Sequence, residues 1–238
     1  IARFFDYRIL NTQNFFVIGL YLFTLILLIL VLLIGPNIKG TSGWLNFKFF
    51  SFQPIELAKL ALIILLARYF ATWHIEIWRP RRLLATAVYT GLYAFLAFLQ
   101  PDMGSAVFFV LIWLGMLLVS GLKFKHFVIL LIIFVILSLV SWQYFLKPYQ
   151  KERILTFLNP DRDPLGSGYS VSQAKIAIGS AGLFGKGLGQ GLLTQLRFLP
   201  EAKTDFFFAA FVEEWGVIGA LTLFLIYGWL LFQIYHIG

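Results

Sequence analysis

Residues 15–34 read FFVIGLYLFTLILLILVLLI, without one charged side chain. A helix rises ~1.5 Å per residue, so this run makes ~30 Å of helix, the thickness of a bilayer's hydrocarbon core. It closes on Gly35-Pro36, a strong helix stop. Further apolar runs follow at 55–72, 83–99, 103–119, 127–145 and 206–237. The second carries Glu56 and Lys59 in its first turns, and Gln100-Pro101-Asp102 separates the third from the fourth. The last is interrupted by Glu213, Glu214 and Gly216, so it can begin as a short buried entry before a helix break near Gly216.

Composition agrees. Of 238 residues, 60% are hydrophobic, 18% aromatic and 13% charged, and the mean hydropathy is +0.86. Soluble domains carry about 25% charged residues, too many to reconcile with this chain. A soluble enzyme, a disordered chain and a disulfide scaffold are excluded. The expected fold class is all-α: a polytopic transmembrane helix bundle, one membrane domain over 1–238, with about six spans and a long outer loop at 147–204. Both ends look cut, which implies a piece of a longer membrane protein.

The net charge of +8 sits between the apolar runs. There, Lys and Arg set topology and meet anionic lipid headgroups; no nucleic-acid partner is expected. One set of short flanks holds Arg3, Arg8, Arg79, Arg81, Arg82, Lys123 and Lys125, seven charges; the other holds only Lys39 and Lys48. The positive-inside rule places the first set in the cytoplasm and the segment 147–204 outside. That segment has eight Lys and Arg of its own, which weigh less because long translocated loops escape the rule. With no cysteine, disulfides and thiolate metal sites are excluded.

The outer loop is too long for a simple connection. Pro160-Asp161-Arg162-Asp163-Pro164 is a turn cluster, and 171–181 reads as a short helix. Gly179, Gly182, Gly185, Gly187, Gly189 and Gly191 follow, as in a compact re-entrant loop or, less specifically, a phosphate-cradling one.

Five carboxylates call for a reading. Glu56 and Lys59, three apart on one helical face, can pair. A lone charge at mid-membrane costs ~2.5–3.5 kcal/mol on insertion scales, so the pair reads either as an interhelical salt bridge or as the wall of a polar cavity. Glu56 is the carboxylate expected to be buried. Asp102 follows a proline at a helix start and reads as an N-cap. Asp205, just before the last apolar run, either caps that helix or stands at the membrane surface as a general base. Glu213 and Glu214 are adjacent, so at most one can face a given polar partner. The three histidines have no metal spacing, and no Ser-His-Asp set, zinc motif or Walker loop is present.

Several motifs in order carry a resemblance over the whole chain: FQPIELAK at 52–59, LQPDMG at 99–104, NPD at 159–161 continuing through DPLGSGY at 163–169, QAKIAIGS at 173–180 and LPEAKTDF at 199–206. The chain resembles the SEDS family (shape, elongation, division and sporulation), most closely its rod-shape branch. The resemblance implies a ten-span peptidoglycan glycosyltransferase fold, from which this piece lacks roughly two spans at each end. It implies polymerisation of lipid II, a disaccharide-pentapeptide on undecaprenyl pyrophosphate, beside a class B penicillin-binding protein that cross-links the peptides. The location implied is the bacterial inner membrane, with the active site facing outside.

The family's essential aspartate falls on Asp205, and its important glutamate and lysine fall on Glu56 and Lys59. The donor sugar is α-linked and the product β-linked, so the resemblance implies one inverting displacement. Such a transfer needs a base for the acceptor hydroxyl and positive charge for the departing pyrophosphate. Asp205 supplies the first. Lys59, Arg197, Lys203 or a divalent cation, Mg or Mn, held at Asp205 could supply the second. Gln53, Asp102 and Glu201, inside the matching motifs, complete the expected substrate-binding or cavity set. Three positions depart from the family pattern: Ile55 where serine is usual, Lys203 where histidine is usual, and Gly43 where arginine often precedes tryptophan. A lipid II flippase is the alternative from another class; intramembrane Glu56 and Lys59 would serve it as a headgroup path.

Overall fold

The computed structural model describes residues 14–35, 43–46, 51–73, 79–146, 148–163, 166, 168–196, 198–199 and 204–237. It is built almost wholly of helices, in two compact units, 1–137 and 138–238.

The first unit holds helices α1 (Asn14–Ile34), α2 (Pro54–Trp73), α3 (Pro80–Leu99) and α4 (Met103–Val119). Most of α5 (Phe124–Val140) also belongs to it. Strands β1 (Leu45–Asn46) and β2 (Ser51–Phe52) form a small antiparallel ladder before α2, pairing Leu45 with Phe52. Helix α1 packs on α2 and α3, and α4 packs on α2 and α3. Along α1 the buried positions are Val17, Tyr21, Thr24, Leu28 and Val31, spaced alternately four and three apart. That is the seam of a helix packing against neighbours at a shallow angle. Leu22, Phe23, Ile26 and Leu33 on its other faces are exposed. On α2 the buried stripe runs Ile55, Ala58, Leu62, Leu65, Leu66, Phe70, and α4 adds Phe109, Trp113, Leu114 and Leu117.

Side-chain hydrogen bonds cross this core. Tyr21 donates to the Tyr89 carbonyl at 2.9 Å. The Tyr93 hydroxyl meets the Thr24 hydroxyl and donates to the Tyr21 carbonyl at 3.0 Å. Gln100 Nε2 donates to the Leu28 carbonyl at 2.9 Å, and Trp113 Nε1 to Thr86 Oγ1 at 3.0 Å. In lipid, where apolar surface gains little by moving from tails to another helix, such bonds and close packing hold helices together.

The second unit begins in α5, which continues as a π-type turn at Ser141–Phe145. Helix α6 (Pro148–Leu158), a 3₁₀ turn at Pro160–Arg162, α7 (Tyr169–Ser180), the short α8 (Leu192–Gln195) and the long α9 (Phe207–Ile237) follow. Ala174 and Ala177 of α7 bury against Leu199 and Ala209, which joins α7 to the start of α9.

By length and composition Phe15–Ile34, Pro80–Leu99, Phe124–Phe145 and Phe207–His236 can each cross a membrane. Met103–Val119 is a shorter apolar helix, and α2 is as long as α1's apolar run but carries Glu56, Lys59 and Arg68. The protein is membrane-embedded and all-α. Two helices start three residues ahead of their apolar runs. Helix α3 starts at Pro80 rather than at 83, because a proline in the first turn needs no N–H partner and lets the helix run out through the arginines. Helix α5 likewise starts at Phe124, ahead of 127.

Candidate active site

Gly216 breaks α9 with φ +69° and ψ −168°, a conformation essentially restricted to glycine. A break strands the carbonyls that end the first half and the N–H groups that start the second. In a membrane those groups must find partners inside the protein. The glycine-rich loop supplies partners for four of them. Lys186 N donates to the Glu213 carbonyl at 3.0 Å and Gly187 N to the Glu214 carbonyl at 3.1 Å. In return Val217 N and Ile218 N donate to the carbonyls of Gly182 and Leu183, each at 3.1 Å. The approach is backbone against backbone: a Cβ on Gly185 would lie 2.1 Å from the Glu214 carbonyl oxygen. This contact accounts for Gly185, and it occupies the Lys186 and Gly187 N–H groups, which are therefore not open to a phosphate.

The two adjacent glutamates divide as their spacing requires. The Glu213 side chain is fully buried. Its carboxylate accepts from Leu193 N at 2.9 Å, Thr194 N at 3.2 Å and Thr194 Oγ1 at 2.8 Å, and from Lys186 Nζ at 3.4 Å. Lys186 Nζ also donates to Ser180 Oγ at 3.1 Å. A buried carboxylate is tolerable only with this kind of pairing. Glu214 keeps a half-buried side chain that makes no hydrogen bond among the described residues. Adjacency implied only that at most one of the two glutamates could face a given polar partner; Lys186 and Thr194, 27 and 19 residues upstream, had no signal of their own.

Asp205 lies ahead of the first half of α9, and its side chain is exposed. The helix starts at Phe207 and, among the described residues, its first bond runs from Ala210 N to the Phe206 carbonyl at 3.1 Å, so Phe206 holds the capping position and Asp205 stands one residue outside it. Arg197, Glu201 and Lys203, expected beside it, lie outside the described residues.

The other expected residues belong to the first unit. Lys59 Nζ donates to Glu56 Oε1 at 2.8 Å and sits 5.3 Å from the centre of the Phe108 ring. Glu56 is not the buried carboxylate: its side chain is 60% exposed and that of Lys59 21%. Glu56 lies off the buried stripe of α2 that holds Ile55, Ala58 and Leu62, and Glu213 is the carboxylate that is buried. Gln53 precedes α2 and its carbonyl accepts from Glu56 N at 3.2 Å. Asp102 is an N-cap: its Oδ1 accepts from Ser105 N at 3.0 Å. Among the described residues no group of three or more His, Asp or Glu gathers as a metal site.

A family model described as cell cycle protein, FtsW/RodA/SpoVE, matches residues 1–238. The chain belongs to this family, the SEDS proteins. It is 38% identical over 224 residues to the probable peptidoglycan glycosyltransferase FtsW of Thiomicrospira cyclica, covering 92% of this SEDS chain and 56% of that protein. With the peptidoglycan glycosyltransferase MrdB of Escherichia coli K12 it is 36% identical over 215 residues, covering 87% and 56%. The chain therefore spans little more than half the length of these relatives. Among solved structures it resembles a chain of a peptidoglycan synthase complex described as coordinating polymerization and crosslinking (34% identity, TM-score 0.74, 99% of this chain and 64% of that one). It also resembles a mutant of the Thermus thermophilus rod shape determining protein RodA (27%, TM-score 0.61, 99% and 59%).

Proposed function

We propose that this SEDS chain is the part of a peptidoglycan glycosyltransferase that carries its catalytic carboxylate, polymerising lipid II into glycan strands during cell-wall elongation. The observation that carries the reading is Asp205, an exposed carboxylate outside the capping position at the head of a membrane helix, in a chain whose relatives are named for this activity. The 4-hydroxyl oxygen of the acceptor sugar attacks C1 of the donor. Asp205 takes the hydroxyl proton as the new C–O bond forms. The bond from C1 to the pyrophosphate breaks on the opposite face, which inverts the configuration, and the undecaprenyl pyrophosphate leaves as an anion. Arg197 and Lys203, in the same chain segment as Asp205, offset the charge that develops on it.

Glu56 and Lys59 contribute a polar patch in the first unit. The ion pair points the lysine, and Phe108 restrains it, so that its ammonium can take an anionic headgroup. A divalent cation held at Asp205 could supply the same positive charge, and no step is assigned to one. The membrane is the bacterial inner membrane with Asp205 on its outer side, as the charge asymmetry of the short loops suggests. The partner is a class B penicillin-binding protein, a pairing supported by the resemblance to a synthase complex that couples polymerization with crosslinking.

The test is polymer formation from labelled lipid II in detergent, where no bilayer has two sides to cross, by the full-length protein with its partner transpeptidase. Wild type is expected to make polymer, which transport alone would not. Asp205→Asn is expected to fold normally and lose ~10²–10⁴ in rate, the usual worth of a general base. Near wild-type polymer from that variant would remove Asp205 from the mechanism.

A further inference from the structure

Asp205 begins the stretch on which Glu213 stands, and Glu213 grips the far end of the segment that leads into Asp205. From Phe207 to Glu213 the helix rises roughly 9 Å. Between Thr194, hydrogen-bonded to Glu213, and Asp205 lie the ten residues 195–204. A free chain of that length could extend over roughly 33–36 Å. The carboxylate thus holds the start of the segment near the helix that receives its end. Two observations beside the carboxylate serve the same purpose. Phe198 N and Leu199 N both donate to the Leu193 carbonyl, at 2.9 and 3.1 Å, and Leu199 is buried against Ala174, Ala177 and Ala209. Lys186 neutralises the buried charge and its own backbone is bonded to the Glu213 carbonyl, so loop, short helix and broken helix meet at one residue.

We propose that Glu213 is a positioning residue for the transfer reaction: its carboxylate staples Leu193 and Thr194, where the chain leading to Asp205 begins, to α9 and thereby sets where the Asp205 side chain stands. The proposal rests on the role given to Asp205 above. A misplacement of about 1 Å can cost ~10²-fold in rate without a direct contact to substrate. Loosening the staple lowers turnover more than binding, because Glu213 itself is sealed from any ligand.

The experiment uses the full-length protein with its transpeptidase partner and labelled lipid II. Glu213→Gln keeps size but loses the charge that gathers four donors. Its kcat is expected to fall by ~10–100-fold with KM changed less than about threefold. Thr194→Val, which removes one donor and leaves the two backbone N–H groups, is expected to shift kcat in the same direction by less. Glu214→Gln, one residue away with no side-chain hydrogen bond to lose, is expected to match wild type. A second readout follows position directly. Spin labels on Leu196→Cys and Phe207→Cys, with no native cysteine in residues 1–238 to compete, report the distance across the segment. A narrow distribution in the wild-type background is expected to broaden with Glu213→Gln.

Wild-type kcat in Glu213→Gln overturns the proposal. So does a loss of kcat with an unchanged distance distribution, which would mean that Glu213 acts other than by position. If Glu213→Gln yields no folded protein, Thr194→Val carries both readouts. A wild type that makes no polymer defeats the proposed activity, and the distance measurement still decides the staple.

Discussion

Gly216→Ala puts the broken helix to the test. The wild-type residue sits at φ +69° and ψ −168°, and holding any other residue there costs ~1–3 kcal/mol. A Cβ at this position would also lie 2.3 Å from Gly185 N and 2.4 Å from the Leu183 carbonyl oxygen. Both are backbone atoms and cannot swing aside. The clash is relieved only by moving the loop off the break, and the four backbone bonds that close the break are worth ~0.5–1.5 kcal/mol each. Strain and lost bonds together put the expected destabilisation at ~3–9 kcal/mol. The assay is unfolding of the full-length protein titrated with SDS in mixed micelles. Gly185→Ala attacks the same contact from the other side, with its Cβ 2.1 Å from the Glu214 carbonyl oxygen. Because either change separates the loop from the break, the double variant is expected to lose little more than the worse single one. A Gly216→Ala protein within ~1 kcal/mol of wild type, or fully additive losses, would refute the reasoning that the loop closes the break.

Trp113→Phe deletes the bond to Thr86 and is expected to cost ~0.6–1.7 kcal/mol in the same titration, with Thr86→Val no worse in combination. Glu56→Ala and Lys59→Ala are expected to be non-additive in polymer yield, with a coupling of ~0.2–1 kcal/mol, small because the Glu56 side chain is mostly exposed; additive losses would uncouple the two. For topology, an impermeant thiol reagent on intact cells is expected to label Leu188→Cys in the outer loop and to spare Arg81→Cys; the reverse pattern overturns the orientation.

How much of this was readable in the residues depended on the range of the interaction. Helix α1 was visible as a run of the right length ending at Gly-Pro, a local signal. Its buried face was not, because Leu22 and Leu28 are chemically alike and only one of them meets protein. The pairing of Glu56 with Lys59 follows from helical spacing alone, but the exposure of Glu56 depends on which face of α2 the neighbouring helices cover. Asp102 revealed its cap through the proline before it and the helix after it. The break at Gly216 was marked by glycine beside two glutamates. What closes it was not, since the partners come from a loop some thirty residues upstream and no periodicity records that meeting. Asp205 stood out through its motif; composition would have left it one more polar residue before a helix.

The hydroxyls and amides buried along α1 have a consequence for how the bundle finds its arrangement. A helix greasy on every side can roll about its axis in a membrane with almost no change in solvation. Rolling α1 by one residue, roughly 100°, would carry Tyr21 and Thr24 into lipid and strand the Tyr93 hydroxyl. Sliding it by one turn, ~5.4 Å, would part the Leu28 carbonyl from Gln100. A handful of polar atoms therefore acts as the teeth of a key, choosing one rotation and one depth among many that hydrophobicity alone would accept. The lipid-facing residues of α1 are free to be exchanged among Leu, Ile, Val and Phe so long as those teeth stay in place.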